Sequence, residues 1–235
     1  MCGRVALFTP PARIARLLEA TLAAGIDPEG RASWNVGPQR RLFALHTEST
    51  GNVLDQYKWG LVPSWSKDPA IGNRLFNALG ETVAEKPSFR TAFARRPCVI
   101  PVDGFYEWDH REGQNKQPNY FSRTDDDLLL LAGLYEFWRD PTLPDDAPLV
   151  QTCTVITTTP SEDINGIHDR MPVIFERDEI ASWLDLEEDH RAERAAMLRP
   201  APKGTLRHHG VSKAVGSVRN DGPELIEPEE PQQLF

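Results

Sequence analysis

The chain has 235 residues, a formal net charge of −9, and 40% hydrophobic and 9% aromatic residues, which is typical of a globular protein with one sizeable core. It has no run of 18 apolar residues and no charged segment followed by an apolar one at its start, so we expect no membrane span, no signal peptide and a cytoplasmic location. The three cysteines, at positions 2, 98 and 153, fit neither a disulfide framework nor a structural zinc site, and we predict no metal and no cofactor.

The negative net charge does not exclude a nucleic-acid partner. Residues 221–235 contain five acidic side chains and no Lys or Arg, so much of the negative charge lies at the end of the chain. DNA responds to a local field, and a groove lined by arginines such as Arg90, Arg95 and Arg96 would still bind phosphates.

Cys2 is the first residue with distinctive chemistry. If Met1 is removed, Cys2 carries a free α-amine and a thiol on adjacent carbons. The amine can condense with an aldehyde to an imine, and proximity then favours closure of the thiol onto the imine carbon, which gives a five-membered thiazolidine. The alternative interpretation is that Cys2 is a small buried residue of the core.

The periodicity of the chain predicts few helices and many strands. An amphipathic helix is expected over Pro10–Ala24, and shorter helical patterns cover Thr82–Lys86, Arg177–Leu184 and His190–Leu198. The strand-like runs lie too close together for βαβ crossovers, which favours antiparallel pairing. These runs are Leu42–Leu45, Val53–Trp59, Cys98–Val102, Phe105–Trp108, Asn119–Ser122, Leu128–Leu134, Thr152–Thr157 and Val173–Phe175.

The resulting prediction is a strand-dominated α+β fold with a mostly antiparallel central sheet or barrel-like core and flanking helices. One domain is expected over residues 2–226, followed by a flexible acidic tail over 227–235, and a monomer is expected.

Several segments place polar or aromatic residues where local patterning does not call for them. Trp34–Gln39 is expected to be a loop with an aromatic and two amides. Trp59–Trp65 is a bent segment with a tryptophan at each end, which fits either a buried core or a wedge beside an unstacked base. Asn77–Thr82 can be a helix start with Glu81 at the positive end of the dipole.

Glu107 and His168 are the two titratable candidates. Alternation along a strand puts Glu107 on the same face as Phe105, opposite Tyr106 and Trp108. An apolar site would raise the pKa of its carboxyl and suit it to proton transfer, whereas a strand-edge Glu paired with an Arg is the alternative. His168 precedes a strand and is either structural or catalytic.

Together these segments resemble the SOS response-associated peptidase family. The resemblance rests on Cys2, on Trp-Gly-Leu-Val-Pro-Ser-Trp from position 59, on Asn-Ala-x-x-Glu-Thr from 77, on Ile-Pro-x-Asp-Gly-Phe-Tyr-Glu-Trp from 100 and on His-x-Arg-Met-Pro from 168. It implies an α+β fold around antiparallel sheet, self-removal of Met1, and covalent capture of abasic sites in single-stranded DNA through a thiazolidine.

The resemblance also implies catalytic roles. Cys2 is the nucleophile and crosslinking residue, Asn77 holds the opened sugar by hydrogen bonds, and Glu107 shuttles protons. His168 acts at the abasic sugar, as a neutral acceptor or a charged donor. Strand cleavage by β-elimination from the imine is chemically accessible as a side activity.

Other residues are expected to contact DNA. Arg4, Pro38 and Trp65 would line the groove, with Trp65 separating or covering bases. The chain departs from the family pattern where Leu79 and Gly80 replace an Arg and a Ser, which removes an expected phosphate contact. Arg74, Arg90 or Arg170 is the hypothesised replacement, and Arg90 and Arg170 are the two assigned to DNA.

Two other functions remain open on the sequence. An N-terminal-nucleophile glutamine amidohydrolase or amidotransferase would use the Cys2 thiol to attack an amide, with the free amine as base. A non-covalent single-stranded DNA-binding protein would make Cys2 incidental.

Overall fold

The protein is described by a computed structural model over residues 2–109, 116–187 and 190–229. Strands dominate these residues, and the α+β prediction is confirmed. The helices are α1 Pro11–Leu17, α2 Arg90–Arg95, α3 Ile180–Leu184 and α4 Arg191–Ala196. The strands are β1 Val5–Leu7, β2 Thr21–Leu22, β3 Ser33–Val36, β4 Arg41–Glu48, β5 Gly51–Trp59, β6 Asn77–Leu79, β7 Pro97–Val102, β8 Gly104–Asp109, β9 Gln117–Arg123, β10 Leu129–Trp138, β11 Val150–Thr158, β12 Met171–Pro172, β13 Ile174–Phe175 and β14 Leu206–Gly210.

Five strands of the larger sheet close into a barrel. They follow one another in the order β11, β10, β7, β4 and β5 through antiparallel pairs. A parallel pairing of β11 with β5, which joins Thr152 to Lys58 and Cys153 to Trp59, completes the ring. Branched and aromatic residues favour strands, and most of β10 and β11 is buried, as expected for strands covered on both faces.

The second sheet places the start of the chain beside Glu107. Its five strands run antiparallel in the order β14, β9, β8, β1 and β3. Along β8, Phe105 packs into the main hydrophobic core, whereas Tyr106 and Trp108 pack into a second cluster on the other face. The predicted alternation along this strand is therefore confirmed.

Several local predictions are corrected. The first helix ends at Leu17 instead of Ala24, since Glu19 adopts a left-handed φ of 51° and β2 then pairs in parallel with β5. Thr82–Lys86 forms turns instead of a helix, and it precedes Pro87. The segment expected to be the loop Trp34–Gln39 begins inside strand β3, and Asn77 lies in β6, which pairs in parallel with β11.

The end of the described chain packs on the second sheet. The Glu229 amide donates a hydrogen bond to the Gly210 carbonyl (2.8 Å), and Val211 forms a bridge with Pro228. Residues 230–235 of the predicted tail lie outside the described residues. Within the described ranges, none of the helices has the length and apolar character needed to span a membrane.

Candidate active site

Cys2 is buried where the two sheets meet. Its side chain has no exposed surface, and its carbonyl oxygen accepts a hydrogen bond from Asn77 Nδ2 at 2.6 Å. Asn77 reaches it because β6 extends the barrel beside β11, with Asn77 opposite Val155. The β6–β11 pairing thus brings together two residues that are 75 positions apart.

Glu107 lies near the Cys2 sulfur in an apolar environment. It is 3% exposed, and burial raises the pKa of its carboxyl from 4.5 to about 7. Burial, and secondarily the nearby Glu107 carboxylate, raise the pKa of the Cys2 thiol, whereas a hydrogen bond from the Arg4 backbone lowers it. The thiol therefore holds its proton at neutral pH, while Glu107 is poised to exchange one.

His168 faces the same carboxylate. Its Nε2 lies 3.7 Å from Glu107 Oε2. Its Nδ1 accepts a hydrogen bond from the Arg170 backbone amide at 3.0 Å and lies 2.9 Å from Asp169 Oδ1. The His168 ring therefore lies between two carboxylates, with Glu107 on its Nε2 side and Asp169 on its Nδ1 side.

His168 also lines a surface cleft. The cleft has a volume of about 580 Å³ and is lined by Pro160, Asn165, Gly166, Ile167, His168 and Asp169. His168 is therefore both a lining residue of the cleft and a neighbour of the buried Glu107 carboxylate. No group of three or more metal-ligating side chains is found within the described ranges.

Two of the arginines expected in a DNA groove are engaged within the protein. Arg4 Nη1 donates to Asn35 Oδ1 (2.7 Å) and to the Val215 carbonyl (2.6 Å). Arg170 forms a two-point ion pair with Glu81, with N–O distances of 2.6 and 2.9 Å, and donates to the Thr157 carbonyl. Both guanidinium groups are thereby held in place by internal partners.

Trp65 and Arg90 face solvent. Trp65 is 59% exposed, and its Nε1 lies 3.4 Å from the Pro87 carbonyl. Arg90, three residues further on, is exposed at the start of α2, and Pro38 is half-buried. The Trp65 side chain thus contacts the segment that leads into α2, where Arg90 lies.

Leu79 and Gly80, which replace the Arg and Ser of the family pattern, fit the local packing of β6. Leu79 shares a face of β6 with Asn77, since strand side chains alternate. A side chain at Gly80 would place its Cβ 3.3 Å from both Leu198 Cβ and the Thr157 carbonyl oxygen. Gly80 therefore allows the chain after α4 to pack closely on β6.

Two residues in the segments described from the sequence, Asp103 and Asn35, form partly buried hydrogen bonds that the sequence did not predict. Asp103 accepts hydrogen bonds from the amides of Phe8 (2.6 Å) and Thr9 (2.9 Å), which anchors the segment that follows β1. Asn35 is 4% exposed and forms the contact to Arg4 described above. A polar residue inside a hydrophobic motif was the available signal in both cases.

The chain is similar in sequence and in fold to several known proteins. The sequence model of a family described as SOS response associated peptidase (SRAP) matches residues 1–218. The chain is 37% identical to abasic site processing protein YoqW of Bacillus subtilis, over 97% of this chain and 99% of that protein. It is 35% identical to abasic site processing protein HMCES of Gallus gallus, over 97% of this chain and 78% of that protein. A crystal structure of a protein from Bacteroides thetaiotaomicron has the same fold, with a TM-score of 0.83, 24% identity, and coverage of 97% of this chain and 100% of that one.

Proposed function

The chain belongs to the SOS response-associated peptidase family, and we propose from that premise that it processes abasic sites in single-stranded DNA by covalent capture. The relatives named above are abasic site processing proteins, and this chain covers almost the whole length of YoqW. Cys2, freed of Met1, is the residue that forms the bond. The observation that carries the proposal is the placement of the buried Glu107 carboxyl beside both Cys2 and His168.

The reaction is a condensation without oxidation or reduction. The α-amine of Cys2 attacks the aldehyde carbon of the ring-opened abasic sugar and forms a carbinolamine. Protonation of the hydroxyl allows water to leave, which gives the imine. The sulfur then bonds to the imine carbon, and the thiol proton goes to the imine nitrogen. The net change is one C–N and one C–S bond formed and one water released.

Glu107 is suited to each proton transfer in this sequence. With a pKa of about 7, its carboxyl is present in both protonation states near neutral pH. It can donate the proton that the departing water needs and accept the proton of the thiol, whose own pKa is raised by burial. His168, with Nε2 3.7 Å from the Glu107 carboxylate and its ring at the cleft, can return protons to solvent.

Asn77 is suited to hold the sugar. Its Nδ2 is used by the Cys2 carbonyl, and its Oδ1 is buried without a hydrogen-bond partner among the described residues. A sugar hydroxyl entering the site would satisfy this acceptor, so substrate binding relieves the cost of an unpaired buried oxygen.

DNA contacts are proposed for the exposed residues. Trp65 offers an indole face on which a base can stack, and its Nε1 contacts the Pro87 carbonyl. Arg90, three residues after Pro87, offers an exposed positive charge. Slow strand cleavage is included as a side reaction, because the imine acidifies the carbon next to it until the thiol closes the ring. Removal of Met1 by the same site is part of the proposal, since the amine must be free.

Intact mass measurement tests the proposal. The protein is incubated with a single-stranded oligonucleotide that contains one abasic position. We expect the parent to lack Met1 and to gain the mass of the oligonucleotide less one water. Cys2→Ala should give no adduct, and Cys2→Ser should give little, because an oxygen analogue closes a less stable ring. Cys98→Ala, at another fully buried cysteine, is the matched control and should capture like the parent.

Three results would refute the proposal. They are an adduct with Cys2→Ala at the parent yield, retention of Met1 in a protein that still captures, and an adduct that dissociates under denaturing electrophoresis. The last result would favour a non-covalent DNA-binding protein. Release of ammonia from glutamine by the parent would instead favour an amidohydrolase.

A further inference from the structure

We infer that Asn35 is a positioning residue for capture, because it holds Arg4 and thereby fixes the segment that carries Cys2. The inference rests on the proposed function, since its readout is the capture rate. In this inference Arg4 supports the position of Cys2, whereas the family resemblance placed Arg4 in the DNA groove.

The amide of Asn35 is surrounded by partners that fix its orientation. Its Oδ1 accepts from Arg4 Nη1, and its Nδ2 lies 3.2, 3.0 and 2.7 Å from the carbonyl oxygens of Val215, Ser217 and Asn220. A guanidinium only donates hydrogen bonds and a carbonyl oxygen only accepts them. If the Asn35 amide were flipped, its NH2 group would face the Arg4 guanidinium and its oxygen would face the three carbonyl oxygens, and no hydrogen bond could form. Asn35 thus joins β3, the start of β1 and the segment 213–220 in one arrangement.

Arg4 is held at several points. Its Nη1 is shared by Asn35 and the Val215 carbonyl, and its guanidinium carbon lies 6.0 Å from the centre of the Trp108 ring. Its backbone carbonyl accepts from the Tyr106 amide at 2.9 Å, which ties this residue to β8. Displacement of Arg4 would therefore disturb the chain that leads to Cys2, two residues earlier.

Cys2 itself lies before β1 and outside the sheet ladder. Asn77 holds its carbonyl from the β6 side, and Arg4 holds the chain two residues later. A displacement of about 1 Å at a reacting group can lower a rate by about 100-fold, so loss of one of these two supports should be visible in capture.

Gly37, two residues after Asn35, leaves room for this arrangement. A Cβ at this position would lie 3.1 Å from Val218 Cγ1 and 3.5 Å from Arg4 Nε. The Trp34–Gln39 motif thus supplies both the polar group and the space that the segment 213–220 requires.

The test compares Asn35→Ala, Arg4→Met and the double variant. Single-turnover capture is measured at saturating abasic single-stranded DNA, and non-covalent affinity is measured with the same strand carrying a tetrahydrofuran analogue that cannot react. The salt dependence of that affinity and the melting temperature complete the set. Asn52→Ala is the control, since Asn52 accepts a hydrogen bond from Thr47 in the β4–β5 hairpin and has no part in the site.

A positioning role predicts that each single variant lowers the saturating capture rate at least about tenfold, while affinity and its salt slope stay within error of the parent. The double variant should be no slower than the slower single variant, because both remove the same link. Asn52→Ala should capture at the parent rate. If Asn35→Ala does not fold, Arg4→Met breaks the same contact from the other end and decides the question.

Other results overturn the inference. A capture rate in Asn35→Ala within about twofold of the parent would show that Asn35 does not position Cys2. Fully additive effects in the double variant would show that Asn35 and Arg4 act independently. A salt slope flattened by about 0.7 in Arg4→Met makes Arg4 a phosphate ligand. A parent protein that forms no adduct refutes the proposed function and this inference with it, whereas equal capture by parent and Asn35→Ala refutes only the inference.

Discussion

Replacement of Glu107 by Gln should change the way in which stability depends on pH. Burial raises the pKa of this carboxyl from 4.5 to about 7, so the folded protein keeps its proton over a range where the unfolded chain has lost it. Stability falls with pH wherever the folded state binds more protons. The parent should therefore lose stability as pH rises from about 4.5 to about 7, and Glu107→Gln, which has no ionisable group there, should not.

The size of this effect follows from the difference between the two pKa values. A shift of one pKa unit corresponds to about 1.4 kcal/mol, so a rise from 4.5 to about 7 makes the ionised, folded Glu107 about 3 kcal/mol less favourable. Since Glu107 is only 3% exposed, solvent screening reduces this value little. Glu107→Gln should thus gain about 3 kcal/mol relative to the parent between low and high pH.

Urea denaturation at several pH values between about 3.5 and 8.5 measures this difference, because that range covers both pKa values. Glu85→Gln, which removes a charge from an exposed side chain, controls for the change in net charge alone and should run parallel to the parent. A free-energy difference between the parent and Glu107→Gln that stays constant within about 0.5 kcal/mol over this range would show that Glu107 titrates like an ordinary carboxyl. Capture by Glu107→Gln should also be slow at every pH in the range.

Three further substitutions test packing and hydrogen bonding elsewhere in the fold, each by urea denaturation of the variant. Tyr57→Phe should be neutral or stabilising by up to about 1 kcal/mol, because the buried hydroxyl has no hydrogen-bond partner among the described residues; a loss above about 1 kcal/mol would reveal one. Gly60→Ala should cost about 3 kcal/mol or more, because φ is 133° and the new Cβ would lie 2.4 Å from the Gly72 carbonyl oxygen; unchanged stability would contradict that geometry. Asp103→Ala should cost about 2–4 kcal/mol by leaving the Phe8 and Thr9 amides unmatched, and a cost below about 0.5 kcal/mol would show that water replaces the carboxylate.

The periodicity of the sequence was sufficient to predict which face of a strand a side chain occupies. The alternation of Phe105 and Glu107 with Tyr106 and Trp108 follows from the period of two in β8, and it assigned both faces correctly. Strand propensity located the long strands of the barrel, because branched and aromatic residues are dense in them.

Contacts between distant segments could not be predicted in this way. The strand Asn77–Leu79 is three residues long and exists because β11 pairs with it in parallel, so it has no local signature. The sequence also does not show which arginines are engaged. Arg170 meets Glu81 across 89 positions, and Arg4 meets Val215 across 211. Both were assigned to DNA on resemblance alone, and their internal partners became visible only in three dimensions.

The backbones of Gly60 and Gly72 lie in close contact, so the chain between them forms a loop, and its one aromatic residue is the exposed Trp65. Three of the other indoles, Trp59, Trp138 and Trp183, are at most 2% exposed, so a collisional quencher such as acrylamide would reach Trp65 far sooner than these. Intrinsic emission thus offers an optical signal from this loop without any attached dye. A nucleobase that covers the ring would shield it from the quencher, and occupancy of the loop could be followed in real time.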